Sequence, residues 1–278
     1  MVDVVVLGSG TPNPDPDRAG SALAVVTDER WILVDCGRGA TLRAITASLD
    51  LATLDAVLIT HHHSDHLSDL ATLASARWSA GCSAALRVVA PAGPAARFAR
   101  SCLDPFDDDC FRLQARPECG PRPVIDVDEF DAERDDVPLT LGPWLVRSAP
   151  VDHHPIEPAV GYRIEVDGVV IAVSGDTRVC DGVRRLSAGA AVIVHEAVRT
   201  DYVRPAVLRW NAGAASVGRL AARVRPDVLV LTHLIPAPVS AEDEQAYIDE
   251  VRGAGFHGTT LVARDLTRFS VAARPQLR

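Results

Sequence analysis

Short apolar runs broken by glycine, proline and charged clusters run the length of the chain. Val4–Leu7 reads as a strand that stops at the turn Gly8-Ser9-Gly10-Thr11-Pro12, and a Pro/Asp loop continues to Asp17. Ala22–Thr27 and Trp31–Val34 read as strands paired around Asp28-Glu29. Asp35-Cys36-Gly37-Arg38-Gly39 is a second glycine turn, where Gly37, like Gly8 and Gly10, is expected to serve a tight bend; a helix over Thr41–Ser48 follows. Ala56–Ile59 is a buried strand, and Leu70, Leu73, Ala74 and Trp78 fall near helical spacing, predicting a helix over Ser68–Ala80. Leu86–Ala90 is a strand, and proline opens a short helix over Pro94–Cys102. From Leu103 to Pro123 the pattern dissolves into Asp, Pro, Cys and Arg, as in an irregular flap. Strands resume at Val124–Val127 and Leu145–Ala149, and Val160–Val166 with Val169–Val173 form a hairpin about Asp167-Gly168. Ala191–Val194 and Val228–Leu231 are buried strands, Ala212–Val224 and Ala241–Gly253 are helices, and strands at Thr260–Ala263 and Arg268–Val271 close the order.

Strands therefore come in two batches, each mixed with helices. That order predicts an α/β fold of two packed β-sheets with helices outside, in a single domain spanning 1–278 with an irregular acidic insertion around 103–136. A chain of 278 residues is long enough for one large core. A hydrophobic share of 47% and a charged share of 23% are ordinary for a soluble globular protein. No apolar run approaches the roughly 20 residues that span a bilayer, so no membrane partner is expected. Met1-Val2-Asp3-Val4 lacks the basic region of a signal peptide and reads as the first strand, which makes a cytoplasmic location the expectation.

The formal net charge of −9 argues against a surface that grips nucleic acid as a whole. None of the 28 basic residues is lysine, so no lysine nucleophile or Schiff base is available. Cys36, Cys82, Cys102, Cys110, Cys119 and Cys180 form no CxxC pair and are expected as free thiols, with a bridge among Cys102, Cys110 and Cys119 as the alternative.

The candidate chemistry sits where apolar runs end. Thr60 is followed at once by His61-His62-His63-Ser64-Asp65-His66. Imidazoles and carboxylates are costly to bury without partners, and crowded together they suit zinc or iron(II) better than calcium or magnesium. Asp152-His153-His154, Ser174-Gly175-Asp176-Thr177, His195-Glu196 and His233 follow other buried runs in the same way. Strand ends along one rim of an α/β structure are where ligands gather. A lone histidine after a strand is more often structural. Here eight of the nine histidines occupy such positions, with only His257 elsewhere, which points to one shared site.

His61-x-His63-x-Asp65-His66 resembles the signature of the metallo-β-lactamase superfamily. Leu7-Gly8-Ser9-Gly10-Thr11-Pro12, Val34-Asp35-Cys36-Gly37, Asp152-His153, Gly161-Tyr162-Arg163, Ser174-Gly175-Asp176-Thr177, His195-Glu196-Ala197 and Leu231-Thr232-His233 extend the resemblance, in order, to its ribonuclease Z-like and arylsulfatase-like branch. The resemblance implies an αββα sandwich of two mixed β-sheets flanked by helices. It implies two divalent metal ions, zinc first, with manganese or iron as alternatives. His61, His63 and His153 would hold one ion and Asp65, His66 and His233 the other, with Asp176 bridging. The Asp-His-x-Pro pattern favours His153 over His154 as the ligand. The implied reaction is hydrolysis through a metal-bridging hydroxide, with Asp65 orienting it or accepting its proton, and with His195 donating a proton to the leaving group while Glu196 holds it.

The chain also departs from tRNA-processing members. It has no glycine-rich basic arm, its 103–136 insertion is acidic, Leu67-Ser68-Asp69-Leu70 lacks the usual glycine after His66, and Asn211 stands where many relatives have histidine. Arg199, Tyr202, Arg204, Arg209 and Trp210 follow the His-Glu-Ala stretch either as a clamp for an anionic substrate or as a solvated loop. The expectation is a hydrolase acting on a small-molecule phosphodiester, sulfate ester, carboxylic ester or lactone, with nucleic acid an improbable partner and a homodimer left open. The alternatives are a ribonuclease Z-type tRNA 3′ endonuclease and a non-catalytic metabolite-binding or sensing protein on the same scaffold.

Overall fold

Val2, Val4 and Val6 face one side of the first strand, Val5 and Leu7 the other, and both sides are buried. A strand covered on both faces needs a nearly continuous apolar run, and most central strands here have one. The computed structural model describes residues 1–106, 122–134 and 138–273. Among these, β1 (Val2–Gly8), β2 (Ala22–Val26), β3 (Trp31–Val34), β4 (Leu54–Leu58), β5 (Leu86–Pro91) and β6 (Ile125–Phe130) form one sheet with the last strand, β14 (Thr267–Val271). Its order is β14-β1-β2-β3-β4-β5-β6. The second sheet holds β7 (Leu139–Leu141), β8 (Trp144–Pro150), β9 (Val160–Val166), β10 (Val169–Val173), β11 (Val192–Val198), β12 (Val228–Ile235) and β13 (Thr259–Val262), in the order β13-β12-β11-β10-β9-β8-β7. Both sheets mix parallel and antiparallel pairs.

Helices α1 (Ala40–Thr46), α2 (Ser64–Leu67), α3 (Leu70–Ser79) and α4 (Pro94–Ser101) cover the first sheet through Ala44, Leu70, Leu73 and Ala96. Helices α5 (Asp181–Ser187), α6 (Ala214–Val224) and α7 (Ala241–Gly253) cover the second through Val183, Leu220 and Tyr247. Between the sheets lies a third apolar layer that includes Ile32, Leu58, Trp144, Tyr162 and Val194. The result is the αββα sandwich of two mixed sheets that the sequence predicts. The β9–β10 hairpin turns at Asp167 and Gly168, at φ 49° and 74°, as a two-residue loop with both residues left-handed. None of the described helices is long and apolar enough to cross a membrane.

Three elements escape the sequence pattern, the one-turn helix α2, the three-residue edge strand β7 and the helix α5. Half of the 103–136 insertion, residues 107–121 and 135–136, lies outside the described residues, and so do Cys110 and Cys119. Cys36, Cys82, Cys102 and Cys180 are free thiols. Three of the described acids of the insertion lie on β6, the outermost strand of its sheet, where Asp128 pairs with Arg87 and Glu129 with Arg100. Charged side chains on an edge strand discourage pairing with another sheet.

Candidate metal centre

The second sheet is fastened to β4 just before the histidine cluster. The Tyr162 hydroxyl donates to the Ile59 carbonyl at 2.7 Å, and the Val160 N–H donates to the Thr60 carbonyl at 3.0 Å. Beyond Thr60 the chain stays extended to His63 and then turns into α2. Extended backbone alternates, so His61 and His63 enter the site and His62 stays outside it. The helical turn then re-aims Asp65 and His66. It is held by the β3–α1 loop, with Cys36 N–H donating to the His66 carbonyl at 2.7 Å and Asp69 N–H to the Cys36 carbonyl at 3.0 Å. Gly37 is needed here for space: a Cβ on it would sit 1.9 Å from the Asp65 carbonyl oxygen. Its φ is not among the left-handed ones, so close approach replaces the tight bend expected from sequence.

Seven sequence-selected residues converge. His61, His63, His153 and Asp176 form one group of potential metal ligands, and Asp65, His66 and His233 form another. Asp176 stands between the groups. Its Oδ2 is 3.8 Å from His61 Nε2, 3.9 Å from His153 Nε2 and 3.5 Å from His233 Nε2, and its Oδ1 is 3.4 Å from His66 Nε2. Asp65 Oδ2 lies 3.2 Å from His233 Nε2 and 3.6 Å from His66 Nε2. His153 Nε2 is 3.4 Å from His63 Nδ1. His154 stays on the surface beside Glu157, 75% exposed.

Most of these groups are buried, and several of their atoms lack the hydrogen bonds that burial demands. His61 Nε2, His66 Nε2 and Asp65 Oδ1 have no partner. A cluster of imidazoles and two carboxylates with unpartnered ring nitrogens fits divalent cations of the zinc, iron or manganese type. The protonation tendencies agree for His61, His63 and His153. Burial, then the charge of His66, holds His61 well below the ordinary imidazole range, and burial also lowers His63 and His153. Neutral imidazoles are the ligating form. Burial opposes charge on His66, but Asp176 and Asp35 outweigh it and push its pKa well up. Burial likewise opposes charge on Asp176, and His233 and His66 overcome it.

Asp35 is the functional residue whose role sequence reasoning missed, although its motif was quoted. It is buried at φ 59°, a left-handed conformation that aspartate tolerates better than most residues. Its carboxylate accepts from Thr60 N–H at 2.8 Å, from the Thr60 hydroxyl at 2.9 Å and from His66 Nδ1–H at 2.7 Å. The Thr60 hydroxyl spends its one hydrogen on Asp35, so it can only accept from His61 Nδ1–H at 3.0 Å. One carboxylate thus holds the hydrogen on Nδ1 of both rings and turns both Nε2 atoms, neither with a hydrogen-bond partner, into the site. His233 also has positive φ, 49°, where the pairing of β11 with β12 shifts register, and this bulge re-aims a strand residue.

His195 does not join the cluster. The sequence placed it after a strand, yet β11 continues to Val198, and alternation puts His195 with Ile193 and Ala197 while Glu196 shares the face of Val194. His195 Nδ1 donates to the Glu196 backbone carbonyl at 2.8 Å, and burial pulls its pKa down to about 4. Burial thus disfavours the charged ring, and its Nε2 has no hydrogen-bond partner. The Glu196 carboxylate, expected to hold His195, accepts instead from Thr177 N–H at 2.5 Å and from Asn211 Nδ2–H at 2.7 Å.

The description "Beta-lactamase superfamily domain" matches residues 30–234. The chain is 34% identical to a ribonuclease Z of Mycobacterium bovis, over 99% of this chain and 100% of that protein. In fold it is similar to the metallo-beta-lactamase fold protein YhfI of Bacillus subtilis, with a TM-score of 0.73 and 20% identity over 97% of this chain and 100% of that one. It is also similar to the short form of human tRNase Z, with a TM-score of 0.69 and 21% identity over 96% and 98% of the two chains. A fold of this kind works with divalent metal ions. The full-length likeness to a ribonuclease overturns the expectation that nucleic acid is an improbable partner. That expectation rested on net charge, the missing basic arm and the acidic insertion, and of the insertion's described acids Asp126, Asp128 and Glu129 are on an edge strand, two of them paired with arginine. The chain is a metal-dependent hydrolase of the beta-lactamase superfamily, in its ribonuclease Z-like branch.

Proposed function

We propose that the protein is a ribonuclease Z-type endonuclease that hydrolyses a phosphodiester bond at the 3′ end of tRNA precursors. The observation that carries this reading is the 34% identity to a ribonuclease Z along essentially the whole of both chains. The convergence of seven donor residues at one rim supports it. The small-molecule ester reading yields, because the features behind it were charge and a missing arm and not a pocket of matching shape.

His61, His63 and His153 hold one ion and Asp65, His66 and His233 the other, with Asp176 shared. Zinc suits this imidazole-rich set best. Two ions there supply Lewis acidity and lower the pKa of water to about 7. Asp35 and Thr60 fix the tautomers of His66 and His61 before any ion arrives. Asp65 Oδ1, buried and without a hydrogen-bond partner, takes the proton of the attacking water. The test is incubation of the purified, metal-loaded protein with a precursor tRNA carrying a 3′ trailer. One metal-dependent cut, lost in Asp176→Ala together with at least about one equivalent of metal, is expected. Turnover of bis(p-nitrophenyl) phosphate with an intact precursor would return the small-molecule reading.

A further inference from the structure

The segment between β11 and α6 leaves beside Glu196 and returns to it through Asn211. Its ends are well anchored. Arg199 N–H donates to the Ile235 carbonyl at 2.9 Å, Val198 N–H to the Ala212 carbonyl at 2.8 Å, and Thr200 gives its N–H and hydroxyl to the Glu250 carboxylate at 2.9 and 2.8 Å. Asn211 donates to one oxygen of Glu196, whose other oxygen accepts from the N–H of Thr177, the neighbour of Asp176. Between these anchors the segment exposes large aromatic surface. Tyr202 is 65% exposed and Trp210 43%, whereas Trp31, Trp78 and Trp144, the other tryptophans of the chain, are all buried to 4% or less. Arg204 and Arg209 are exposed with them, and among the described residues no carboxylate pairs with either. Over 199–213 three arginines stand against one aspartate, Asp201, and the carboxylates that α7 brings, Asp243 and Glu250, meet Arg199 and Thr200 at the anchored end. A merely solvated loop has no need of two exposed aromatics on a segment fastened through Asn211 and Glu196 to the strand end that carries Asp176.

We propose that this segment grips unpaired RNA. Trp210 stacks a base next to the scissile phosphate, and Arg204 and Arg209 take phosphates on either side. Aromatic faces bind any base, and guanidinium groups bind phosphate without reading sequence. The inference rests on the RNA reading above and adds how the substrate strand is held without a basic arm.

The probes are a cytidine decamer and a ribose-phosphate decamer of the same length without bases. Trp210 is the exposed tryptophan, so quenching of its fluorescence reports binding of the cytidine decamer directly. Trp210→Ala should weaken the cytidine decamer by about tenfold or more, the worth of one stacked base, and leave affinity for the base-free decamer and metal content unchanged. Arg204→Ala with Arg209→Ala should weaken both probes and lower the slope of log affinity against log salt by about 1.4, from about 0.7 per phosphate on a single strand. Equal affinities of wild type and Trp210→Ala for the cytidine decamer would overturn the proposal, and so would a wild type that binds neither probe. Precursor cleavage by the same preparation is scored separately. If the decamers bind through Trp210 and the precursor stays intact, the functional reading falls while the grip stands.

Discussion

Replacing Asp35 by Asn changes one atom's hydrogen-bonding sense at the point where two histidine tautomers are set. Asp35 is 2% exposed and accepts three hydrogens, from Thr60 N–H, the Thr60 hydroxyl and His66 Nδ1–H. Asparagine keeps one acceptor oxygen and puts an NH2 group in place of the other. Turned toward His66, the NH2 meets an Nδ1–H, and relief requires moving the ring hydrogen to Nε2, which closes the nitrogen that faces Asp176. Turned the other way, it meets the Thr60 N–H and leaves a buried backbone donor unpaired, at about 1–3 kcal/mol. Either route damages the site or the fold. Losing an outer hydrogen bond of this kind costs about 10–100-fold in metal affinity, and about 1–3 kcal/mol of stability lowers Tm by about 2–10 °C in a chain of this size. Competition with a chromophoric chelator measures the affinity, and circular dichroism measures the melt. Asp35→Asn with two ions bound at wild-type affinity and an unchanged Tm would refute the tautomer argument. Thr60→Val is its companion. It removes only the relay to His61 and should weaken one ion while sparing the His66 side.

Three further changes separate roles that lie close together. His153→Ala should drop bound metal by about one equivalent, measured by elemental analysis, whereas His154→Ala should leave it intact, because only His153 lies among the donors. His195→Gln should change turnover by less than about threefold; a loss near the roughly hundredfold expected of a general acid would restore the proton-donor role. Gly37→Ala drives a methyl to 1.9 Å from the Asp65 carbonyl oxygen and should cost at least about 1–3 kcal/mol by thermal melt, with metal content falling as well.

The elements most legible in the sequence are those whose local chemistry agrees with their burial. Val160–Val173 reads correctly as a hairpin because Asp-Gly suits two left-handed turn positions and both arms are apolar. The rim of strand ends is legible because histidine and aspartate interrupt apolar runs abruptly. What stays hidden depends on pairing at a distance. Hydrophobicity in β11 stops at Val194, but β12 keeps it paired out to Val198, so the face on which His195 lies follows from a partner strand about 35 residues later. Asp35 looks like part of a glycine turn, and its function lies in reaching His66, a contact created by a positive φ and by the interlock of Gly37 with Asp65. Helix α5 is hidden for a simpler reason, since Asp181-Gly182-Val183-Arg184-Arg185-Leu186-Ser187 is too short to show a period and carries a glycine.

Net charge misled because it averages over a surface that RNA would meet only in part. One acidic run, Asp126, Asp128 and Glu129, lies on β6, two strands from β4, about 10 Å at usual strand spacing. That is a full screening length at physiological salt. Asp128 and Glu129 on that strand already hold Arg87 and Arg100, so part of the acidity is spent inside the protein. The mouth of the site has a different balance. The carboxylates of Asp65 and Asp176 face ligands for two divalent cations, which would bring four positive charges against two negative ones. Arg204 and Arg209 stand on the adjoining segment without carboxylate partners among the described residues. A phosphate arriving there meets positive charge first, and the −9 of the whole chain acts only as a distant, screened background.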